Sequence, residues 1–352
     1  MDNRERIERL EQDRILPRAE LEELLQTYSD GDRLYAASKA RAVADAIFGK
    51  KVYFRGIVEI SSYCKNDCLY CGIRRSNHSA QRYRLTEDEI LNCCARGYTL
   101  GYRTFVLQGG EDPWYTDDRI VSIIRRIRRD FPDCAITLSL GEKERESYQR
   151  YFDAGADRYL LRHETASPSH YAKLHPPELS WEHRMQCLRD LREIGFQTGC
   201  GCMVGAPYQT AADLVEDLLF MKEFRPQMIG IGPFIPHKDT PFREESPGTL
   251  RDTLFLLSII RLMLPHVLLP ATTALGTIQE GGREQGILAG ANVIMPNISP
   301  PQVREKYMLY DNKIGVGDDE VSSRDRVARA VESIGYEIVV GRGDYQGGME
   351  DD

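Results

Sequence analysis

The chain lacks any long uncharged hydrophobic run, and no window approaches the apolar length that a membrane-spanning helix needs. Its charged start, MDNRERIERLEQDR, contains no apolar core of signal-peptide length. Positive charge is also in deficit, because 46 Lys and Arg stand against 54 Asp and Glu and give a net charge of -8. These absences predict a cytoplasmic protein that binds neither a membrane nor a nucleic acid.

Disulfides are not expected either, because the nine cysteines belong to a chain with intracellular character. Cys200 and Cys202 alternate along an apparent strand, so at least one of them should face the interior. Four further cysteines fall inside helix or strand patterns, where a small buried apolar role is expected: Cys93, Cys94, Cys134 and Cys187. Only the stretch SYCKNDCLYCG (62–72) has the spacing of a ligand set.

The pattern of apolar residues predicts an α/β protein of one domain. Residues 1–50 carry apolar residues at helical spacing and predict an N-terminal helical extension. Over residues 51–310, eight β-rich runs alternate with amphipathic helical stretches, which predicts a (βα)8 TIM-type barrel. An open doubly wound sheet is the alternative. Residues 311–352 predict a C-terminal helical segment and a frayed, Gly-rich tail that starts at residue 341.

The eight runs are KVYFRGIVEIS, TFVLQGG, AITLSL, RYLLRHE, TGCGCMVG, MIGIGPFIP, HVLLPATT and NVIMPN. A capping box at residues 86–89 predicts the start of the helix after the first run. Chemistry in such barrels lies at the carboxyl ends of the strands. The cysteine-rich stretch follows the first run directly, so we expect it at the mouth of the barrel.

Cys64, Cys68 and Cys71 are candidate metal ligands, and two metals are compatible with them. A structural zinc would need a fourth ligand, which His78 could supply, but zinc sites usually take their ligands as two separated pairs. A 4Fe-4S cube explains the number three directly, because one iron would remain open to a substrate or cofactor. The spacing therefore favours iron–sulfur.

The spacing Cys64-x3-Cys68-x2-Cys71, with Tyr70 before the third cysteine, resembles the cluster loop of radical S-adenosylmethionine (SAM) enzymes. The resemblance implies a 4Fe-4S cluster whose open iron chelates SAM and whose electron releases a 5′-deoxyadenosyl radical. Over residues 1–310 the chain further resembles the HydE family of FeFe-hydrogenase maturases; methylornithine synthase and biotin synthase are more distantly similar. The segments that carry this likeness are VLQGGEDPWY, AGADRYLLRHETASP, MIGIGPFIPHKDTPF, LPATTALGT and GANVIMPN.

The resemblance implies a set of SAM contacts. Glycines after the second run would let the backbone approach the ligand. Glu164 would be an acidic contact, and Arg184 would pair with the carboxylate of SAM in a bond of roughly 1.5–3 kcal/mol. Without the resemblance, Arg184 looks like an ordinary exposed helix arginine. The implied cofactor residues are Tyr70, Gln108, Gly109, Gly110, Glu111, Glu164, Arg184 and Met203.

A second set is implied to line the barrel and bind the substrate: Thr137, Arg162, Thr272, Thr273, Tyr307 and Tyr310. Arg162 stands in an apolar run, where a guanidinium is costly unless it meets an anion. Its alternative is an internal salt bridge to a strand glutamate. His163 should point outward toward the helices, and His237 has no assigned role.

Some members of this family carry a second cysteine trio near the C-terminus, whereas residues 310–327 contain no cysteine here, so one cluster is expected. The resemblance implies a cysteine-bound Fe(CO)2(CN) synthon as substrate, transient contact with the maturases HydG and HydF, and an external one-electron donor. Two alternatives remain open. One is a radical SAM enzyme on a small organic substrate, like methylornithine synthase or biotin synthase. The other is a zinc-stabilised binding barrel without catalysis.

Overall fold

Three helices precede the first strand in the computed structural model, which describes residues 1–317 and 320–347. They are α1 (Asn3–Asp13), α2 (Arg18–Thr27) and α3 (Asp30–Phe48). Capping boxes at Asp2 and Ser29 begin the first and third. The predictions for residues 318–319 and 348–352 lie outside the described residues.

Parallel strands form the centre of the molecule. The strands are β1 (Lys51–Phe54), β2 (Gly56–Ser61), β3 (Thr104–Gly109), β4 (Ala135–Ser139), β5 (Arg158–Leu160), β6 (Gln197–Cys200), β7 (Met203–Val204), β8 (Met228–Ile229), β9 (Gly232–Pro233), β10 (Val293–Ile294) and β11 (Glu337–Val339). They pair in the orders β2-β3-β4-β5-β6-β8, β10-β1-β11 and β7-β9. All of these pairings are parallel, so the predicted α/β class is confirmed.

Seven of the eight predicted runs contain a strand, and HVLLPATT contains none. Its residues instead make single parallel bridges, Leu268 with Met228 and Pro270 with Val293. Pro270 has no N–H to donate, which prevents a continuous ladder. A further parallel bridge joins Asn297 to Ile57, which belongs to β2. The pairings therefore continue from β8, through residues 268–270 and the β10 region, to β2.

Helices occupy most of the connections between the strands. They are α4 (Glu87–Thr99), α5 (Asp117–Asp130), α6 (Arg145–Asp153), α7 (Pro168–Leu174), α8 (Trp181–Ile194), α9 (Ala211–Phe224), α10 (Leu250–Met263), α11 (Thr273–Ile278), α12 (Gly282–Leu288), α13 (Pro301–Arg304) and α14 (Glu320–Ser333). The predicted capping box at Thr86 is present and starts α4. Within the described part of the chain, no helix combines the length and apolar character that crossing a bilayer requires.

The prediction of a frayed tail from residue 341 is wrong for residues 341–347. Arg158, which is fully buried, donates to the Arg342 carbonyl at 2.8 Å and to Asp344 Oδ1 at 2.6 Å. Gly343 has a φ of +57°, and a Cβ there would lie 2.7 Å from the Tyr53 ring, so only glycine fits. The segment therefore covers the amino ends of the strands. Its Gly-rich composition does not reveal these hydrogen bonds, which hold it in place.

Candidate cofactor and substrate site

The loop with the three candidate ligands follows β2 and is held along its length by backbone hydrogen bonds. Lys65 N donates to Glu111 O at 2.8 Å, and Gly72 N donates to Leu309 O at 2.9 Å. Leu69 N donates to Leu174 O at 3.0 Å. The loop therefore rests on the end of β3, on α7 and on the segment after α13.

Two glycines allow this close packing. A Cβ at Gly110 would lie 2.2 Å from the Tyr63 carbonyl and 2.8 Å from Cys64 Cβ. A Cβ at Gly72 would lie 2.2 Å from the Met308 carbonyl. Neither position has room for a side chain, so Gly110, a predicted SAM contact, lies directly against the cysteine loop.

The donor set of three thiols fits an iron–sulfur cluster. Burial, with added repulsion from Cys64, raises the pKa of Cys71 to about 12. Burial also raises the pKa of Cys64, and burial with the charge of Cys71 raises that of Cys68 well above its usual value. Bound iron would offset this shared cost of ionisation and would leave one cube corner open.

The zinc alternative receives no support from the geometry. His78 is exposed on the surface. Among the described residues, a different group of His, Cys and Asp brings its ligand atoms within 4.8 Å of one another, namely His163, Cys202 and Asp217. The compact arrangement of ligands that tetrahedral zinc needs is therefore not formed by the trio and His78.

Beneath the cysteine loop, charged side chains form a buried chain of contacts. Arg184 is only 6% exposed, so the reading of it as an exposed helix arginine is wrong. It donates to Glu142 and, at 2.8 Å, to the Arg162 carbonyl. The N–H of Glu142 in turn donates to Glu111 Oε1 at 3.0 Å. The structure thus brings together Glu111 and Arg184, two predicted SAM contacts.

Glu142 was missed by the sequence analysis. It follows β4 in the segment SLGE, so its place at a strand end was the available signal. Its side chain is 7% exposed and pairs with Arg184. A buried carboxylate of this kind fixes the direction of the guanidinium.

An apolar wall lies on the other side of the loop. Met203 packs with Leu174, Phe234 and Phe242, and Tyr70 packs against this group. The Tyr70 hydroxyl lies 3.2 Å from His175 Nε2, and the two rings meet edge to face. Met203, a predicted cofactor contact, therefore lies close to the cysteine loop through Tyr70, the predicted contact within that loop.

Arg162 lies at the end of β5 and combines an ion pair with unsatisfied donors. Its Nη2 is 3.0 Å from Glu164 Oε2, so the alternative of an internal salt bridge is observed. Nevertheless, Arg162 Nε is buried without a hydrogen-bond partner, as are Thr137 Oγ1 and Thr272 Oγ1. Buried polar atoms are rarely left unpaired, so these atoms indicate the place of a ligand.

Among the described residues, the other predicted substrate contacts, Thr273, Tyr307 and Tyr310, have no buried side-chain atom without a hydrogen-bond partner. Gln108 Nε2 donates to the Tyr307 hydroxyl at 3.4 Å, and Tyr307 is buried. Burial raises the pKa of Tyr310 to about 12, against the lowering effect of a hydrogen bond with Thr277. Thr273 is the first residue of α11, directly after Thr272.

Glu59 and Lys313 also lie in the buried region around Tyr307, and the sequence-based predictions did not include them. Glu59 lies in β2 and is 3% exposed, and Lys313 donates to its carboxylate. Lys313 Nζ also donates to the Tyr307 carbonyl at 3.0 Å. The signal for Glu59 was available, because a carboxylate inside the apolar run GIVEIS calls for a partner just as Arg162 does.

His163 points outward toward α9, as predicted, and pins the backbone that carries Arg162 and Glu164. Its Nδ1 accepts the Gly201 N–H at 3.2 Å, so the ring proton is on Nε2, which lies 3.1 Å from Asp217 Oδ1. The same carboxylate oxygen accepts the Ala166 N–H at 2.6 Å. Glu164 has a φ of +66°, and these bonds hold it in that unusual conformation.

His237 remains without a catalytic role in the geometry. Its Nδ1 accepts the Asp239 N–H at 3.1 Å, and its Nε2 lies 3.8 Å from Asp311 Oδ1. The side chain is buried. These contacts are those of a residue that stabilises a turn.

Comparisons with known proteins identify the family of the chain. Residues 58–221 match the family model for the Radical SAM superfamily. The "[FeFe] hydrogenase maturase subunit HydE" of Thermotoga maritima is 45% identical over 335 residues, which cover 95% of each chain. The 3-methylornithine synthase of Methanosarcina barkeri is 29% identical, over 86% of this chain and 84% of that protein. The crystal structure of methylornithine synthase (PylB) superposes with a TM-score of 0.83 at 25% identity, over 95% and 97% of the two chains.

The fold, the cysteine loop and the family match define the chain as an enzyme of the radical SAM superfamily. Membership implies a 4Fe-4S cluster and SAM as cofactors. Within that superfamily the chain belongs to the HydE family, because the similarity to a curated member extends over nearly the full length of both proteins.

Proposed function

We propose that this enzyme acts in the assembly of the diiron cluster of FeFe-hydrogenase, on a cysteine-bound Fe(CO)2(CN) synthon. The observation that carries the assignment is the 45% identity to the Thermotoga maritima HydE over 95% of both chains. In this proposal HydG supplies the synthon, HydF receives the product, and an external donor supplies single electrons. We also infer that residues 51–310 form a closed barrel and that residues 1–50, 311–317 and 320–347 belong to the same domain.

The cofactor residues have separate roles in this proposal. Cys64, Cys68 and Cys71 hold a single 4Fe-4S cluster. When bound, the cluster and SAM together supply the 5′-deoxyadenosyl radical. Arg184, directed by Glu142, offsets the carboxylate charge of SAM. Backbone groups of residues 108–111 bind its amino group, Glu164 is its acidic contact, and Tyr70 and Met203 form the apolar side of the site.

The substrate lies deeper, among the unsatisfied polar atoms. Arg162 offers a fork of N–H donors, which matches a carboxylate in a bidentate manner. Its existing pair with Glu164 leaves Nε available, and Thr137 and Thr272 offer hydroxyls nearby. Thr273, Tyr307 and Tyr310 complete the proposed lining. The carboxylate and cyanide of the synthon would satisfy these donors.

A turnover experiment tests the proposal. The protein is reconstituted with iron and sulfide without oxygen, reduced, and incubated with SAM and the product of HydG. We expect SAM cleavage and transfer of the adenosyl group to the sulfur of the synthon, identified by mass spectrometry. Cleavage of SAM without any adenosylated product from this substrate would contradict the proposed substrate and retain the enzyme class.

A second candidate is a radical SAM enzyme that acts on a small organic substrate. The superposition with methylornithine synthase at a TM-score of 0.83 favours it. Incubation with SAM, reductant and a panel of free amino acids distinguishes the two. An isomerised amino acid would support this candidate, and its absence, with adenosylation of the synthon, would support the first.

A further inference from the structure

We propose that Tyr171 is a further cofactor-binding residue, whose hydroxyl donates a hydrogen bond to the carboxylate of SAM beside Arg184. Tyr171 lies in α7, and the sequence-based predictions did not include it. The proposal deepens the proposed function, because it rests on the assignment of Arg184 to that carboxylate. It gives the site a neutral donor, in addition to a cation, for the amino-acid part of SAM.

The Tyr171 hydroxyl is a buried donor that lacks a partner. Tyr171 is only 1% exposed, and within the described parts of the chain no group forms a hydrogen bond with its hydroxyl. Burying a hydroxyl without a hydrogen bond is unfavourable, and buried polar groups are rarely left unpaired. The hydroxyl therefore indicates the place of a ligand, as the unpaired atoms around Arg162 do.

The Tyr171 ring is held in one orientation next to the cysteine loop. It stacks on His175, with ring centres 3.8 Å apart and ring planes 20° from parallel. His175 Nδ1 in turn lies 3.0 Å from the Tyr171 carbonyl. Leu174 of the same helix accepts the N–H of Leu69 from the cysteine loop. Because the ring is already ordered, binding a ligand through its hydroxyl costs little entropy.

A second tyrosine in this region, Tyr70, already uses its O–H. A carbonyl can only accept, so His175 Nδ1 carries the ring proton that points to the Tyr171 carbonyl. Burial and the charge of Arg184 lower the pKa of His175 to about 3, so the ring is neutral at pH 7. His175 Nε2 then accepts from the Tyr70 hydroxyl, 3.2 Å away. Of these two described tyrosines, Tyr171 is the one whose O–H remains available.

The available O–H lies near the Arg184 guanidinium. Burial acts to lower the pKa of Arg184, but the neighbouring Tyr171 and Glu142 outweigh it and raise that pKa well above its usual value. Burial raises the pKa of Tyr171 in spite of the charge of Arg184, so the hydroxyl keeps its proton and can donate. Cys68 also acts electrostatically on Tyr171, which relates this hydroxyl to the cysteine loop as well as to Arg184.

Two adjacent donors of this kind fit a carboxylate. The bonds of Arg184 to Glu142 and to the Arg162 carbonyl use Nε and Nη1. A guanidinium has five N–H donors, so others remain for a ligand. A carboxylate accepts through two oxygens, and its bonds to donors are charge-assisted. Arg184 thus offers a positive charge and Tyr171 a directed O–H to the same group.

Two adenosine compounds test the proposal by competition with labelled SAM on the reconstituted enzyme before reduction. S-adenosylhomocysteine carries the amino-acid carboxylate, whereas 5′-methylthioadenosine lacks the amino-acid part. We expect Tyr171→Phe to weaken binding of S-adenosylhomocysteine about tenfold, as for a hydrogen bond to a charged group, at unchanged iron content. Its binding of 5′-methylthioadenosine should be unchanged. Tyr151→Phe, which changes a fully buried tyrosine of α6, should alter neither affinity.

Stability of the full chain before reconstitution separates a binding role from a structural one. Tyr171→Phe removes a hydroxyl without a hydrogen bond, so this variant should unfold at a denaturant concentration no lower than the wild type. Tyr151→Phe removes the donor of a hydrogen bond to Asp117 and should lower that midpoint. A lower midpoint for Tyr171→Phe, with equal loss of affinity for both compounds, would make Tyr171 structural and overturn the proposal.

Unchanged binding of S-adenosylhomocysteine by Tyr171→Phe would also overturn the proposal. If Arg184→Ala weakens that binding and Tyr171→Phe does not, the proposed carboxylate site stands without Tyr171. If neither variant weakens it, the proposed place of the carboxylate is wrong as well. A shifted reduction potential of the cluster at unchanged affinity would assign the Tyr171 hydroxyl to a cysteine sulfur instead of SAM.

Discussion

Two arginines four residues apart in the same run, Arg158 and Arg162, lie at opposite ends of β5 and have opposite surroundings. Arg158, at the amino end, makes hydrogen bonds from all three of its nitrogens, to Gln197, Thr104, Arg342 and Asp344. Arg162, beyond the carboxyl end, has one ion pair with Glu164 and a buried Nε without a partner.

A structural charge and a functional one differ in how completely the protein compensates them. A buried guanidinium is expensive, and at the amino end the chain itself compensates it. At the carboxyl end the compensation is incomplete, which is the state expected of a site that awaits an anionic ligand. The C-terminal segment closes one end of the strands, and the cysteine loop lies at the other.

Loss of a cysteine should matter far more at the carboxyl ends of the strands, where the cysteine loop lies, than at their amino ends. Cys68→Ala should abolish the 4Fe-4S absorbance and SAM cleavage, because each thiolate holds a different iron. Cys134→Ala, a buried cysteine just before β4 at the amino ends, should keep both. Iron analysis of the reconstituted wild type should give about four irons per chain, in keeping with one cubane. A value close to eight would contradict the single-cluster prediction.

The paired arginines give the sharpest test of the comparison. Arg162→Lys should retain the fold, the iron and uncoupled SAM cleavage, but lose adenosyl transfer to the substrate, because lysine cannot bind a carboxylate bidentately. Arg158→Lys should instead retain adenosyl transfer to the substrate but lower the unfolding free energy by about 3 kcal/mol. Full hydrogenase maturation by Arg162→Lys would contradict a substrate role for Arg162. Failure of that variant to fold would show that the ion pair of Arg162 with Glu164 is purely structural.

A third prediction concerns cofactor affinity. Arg184→Ala should weaken SAM binding by at least about tenfold, since a charge-assisted bond contributes roughly 1.5–3 kcal/mol, at unchanged iron content. Equilibrium binding of labelled SAM measures this. The variant leaves Glu142 buried and unpaired, so Arg184→Ala is also made in a Glu142→Gln background, which removes that charge. Parallel loss of iron and SAM binding in both backgrounds would assign Arg184 to structure.

The smallest effect belongs to the amino end. Burial acts to raise the pKa of Asp344, but hydrogen bonds from Arg342 and the charge of Arg158 outweigh it and hold that pKa well below its usual value. The ionised carboxylate therefore stabilises the fold above about pH 4, and this stabilisation is lost as the pH falls further.

Asp344→Asn should thus lower the unfolding free energy by about 1 kcal/mol at neutral pH, a modest value because the side chain is 34% exposed. The difference in unfolding free energy between the variant and the wild type, measured by denaturant unfolding, should shrink below about pH 4. SAM affinity should be unchanged. A difference in unfolding free energy that stays constant down to about pH 2 would show that the charge of Asp344 does not cause the stabilisation.

Much of the site could be predicted because its signals are local. The spacing of Cys64, Cys68 and Cys71 reflects the reach of one short loop, and it indicated the enzyme class without any knowledge of the fold. Arg162 and Glu59 were detectable in the same way, as charges inside apolar strands, although only Arg162 was noticed. Glu142 was harder, because a glutamate after a strand is common and its partner Arg184 is 42 residues away.

Local patterns in the sequence encode the alternation of strands and helices and the spacing of the three candidate cysteine ligands, since both depend on neighbours within a few residues. Which charges are buried, and which side chains they pair with, depends on the tertiary fold. Arg184 has the pattern of a surface helix residue and is buried by contacts with Glu142 and the Arg162 carbonyl. The segment at residues 341–347 has the composition of a loose tail, yet it is ordered by Arg158, more than 180 residues earlier. Hydrogen bonds across such separations depend on which strand ends the fold brings together, and no local pattern encodes them.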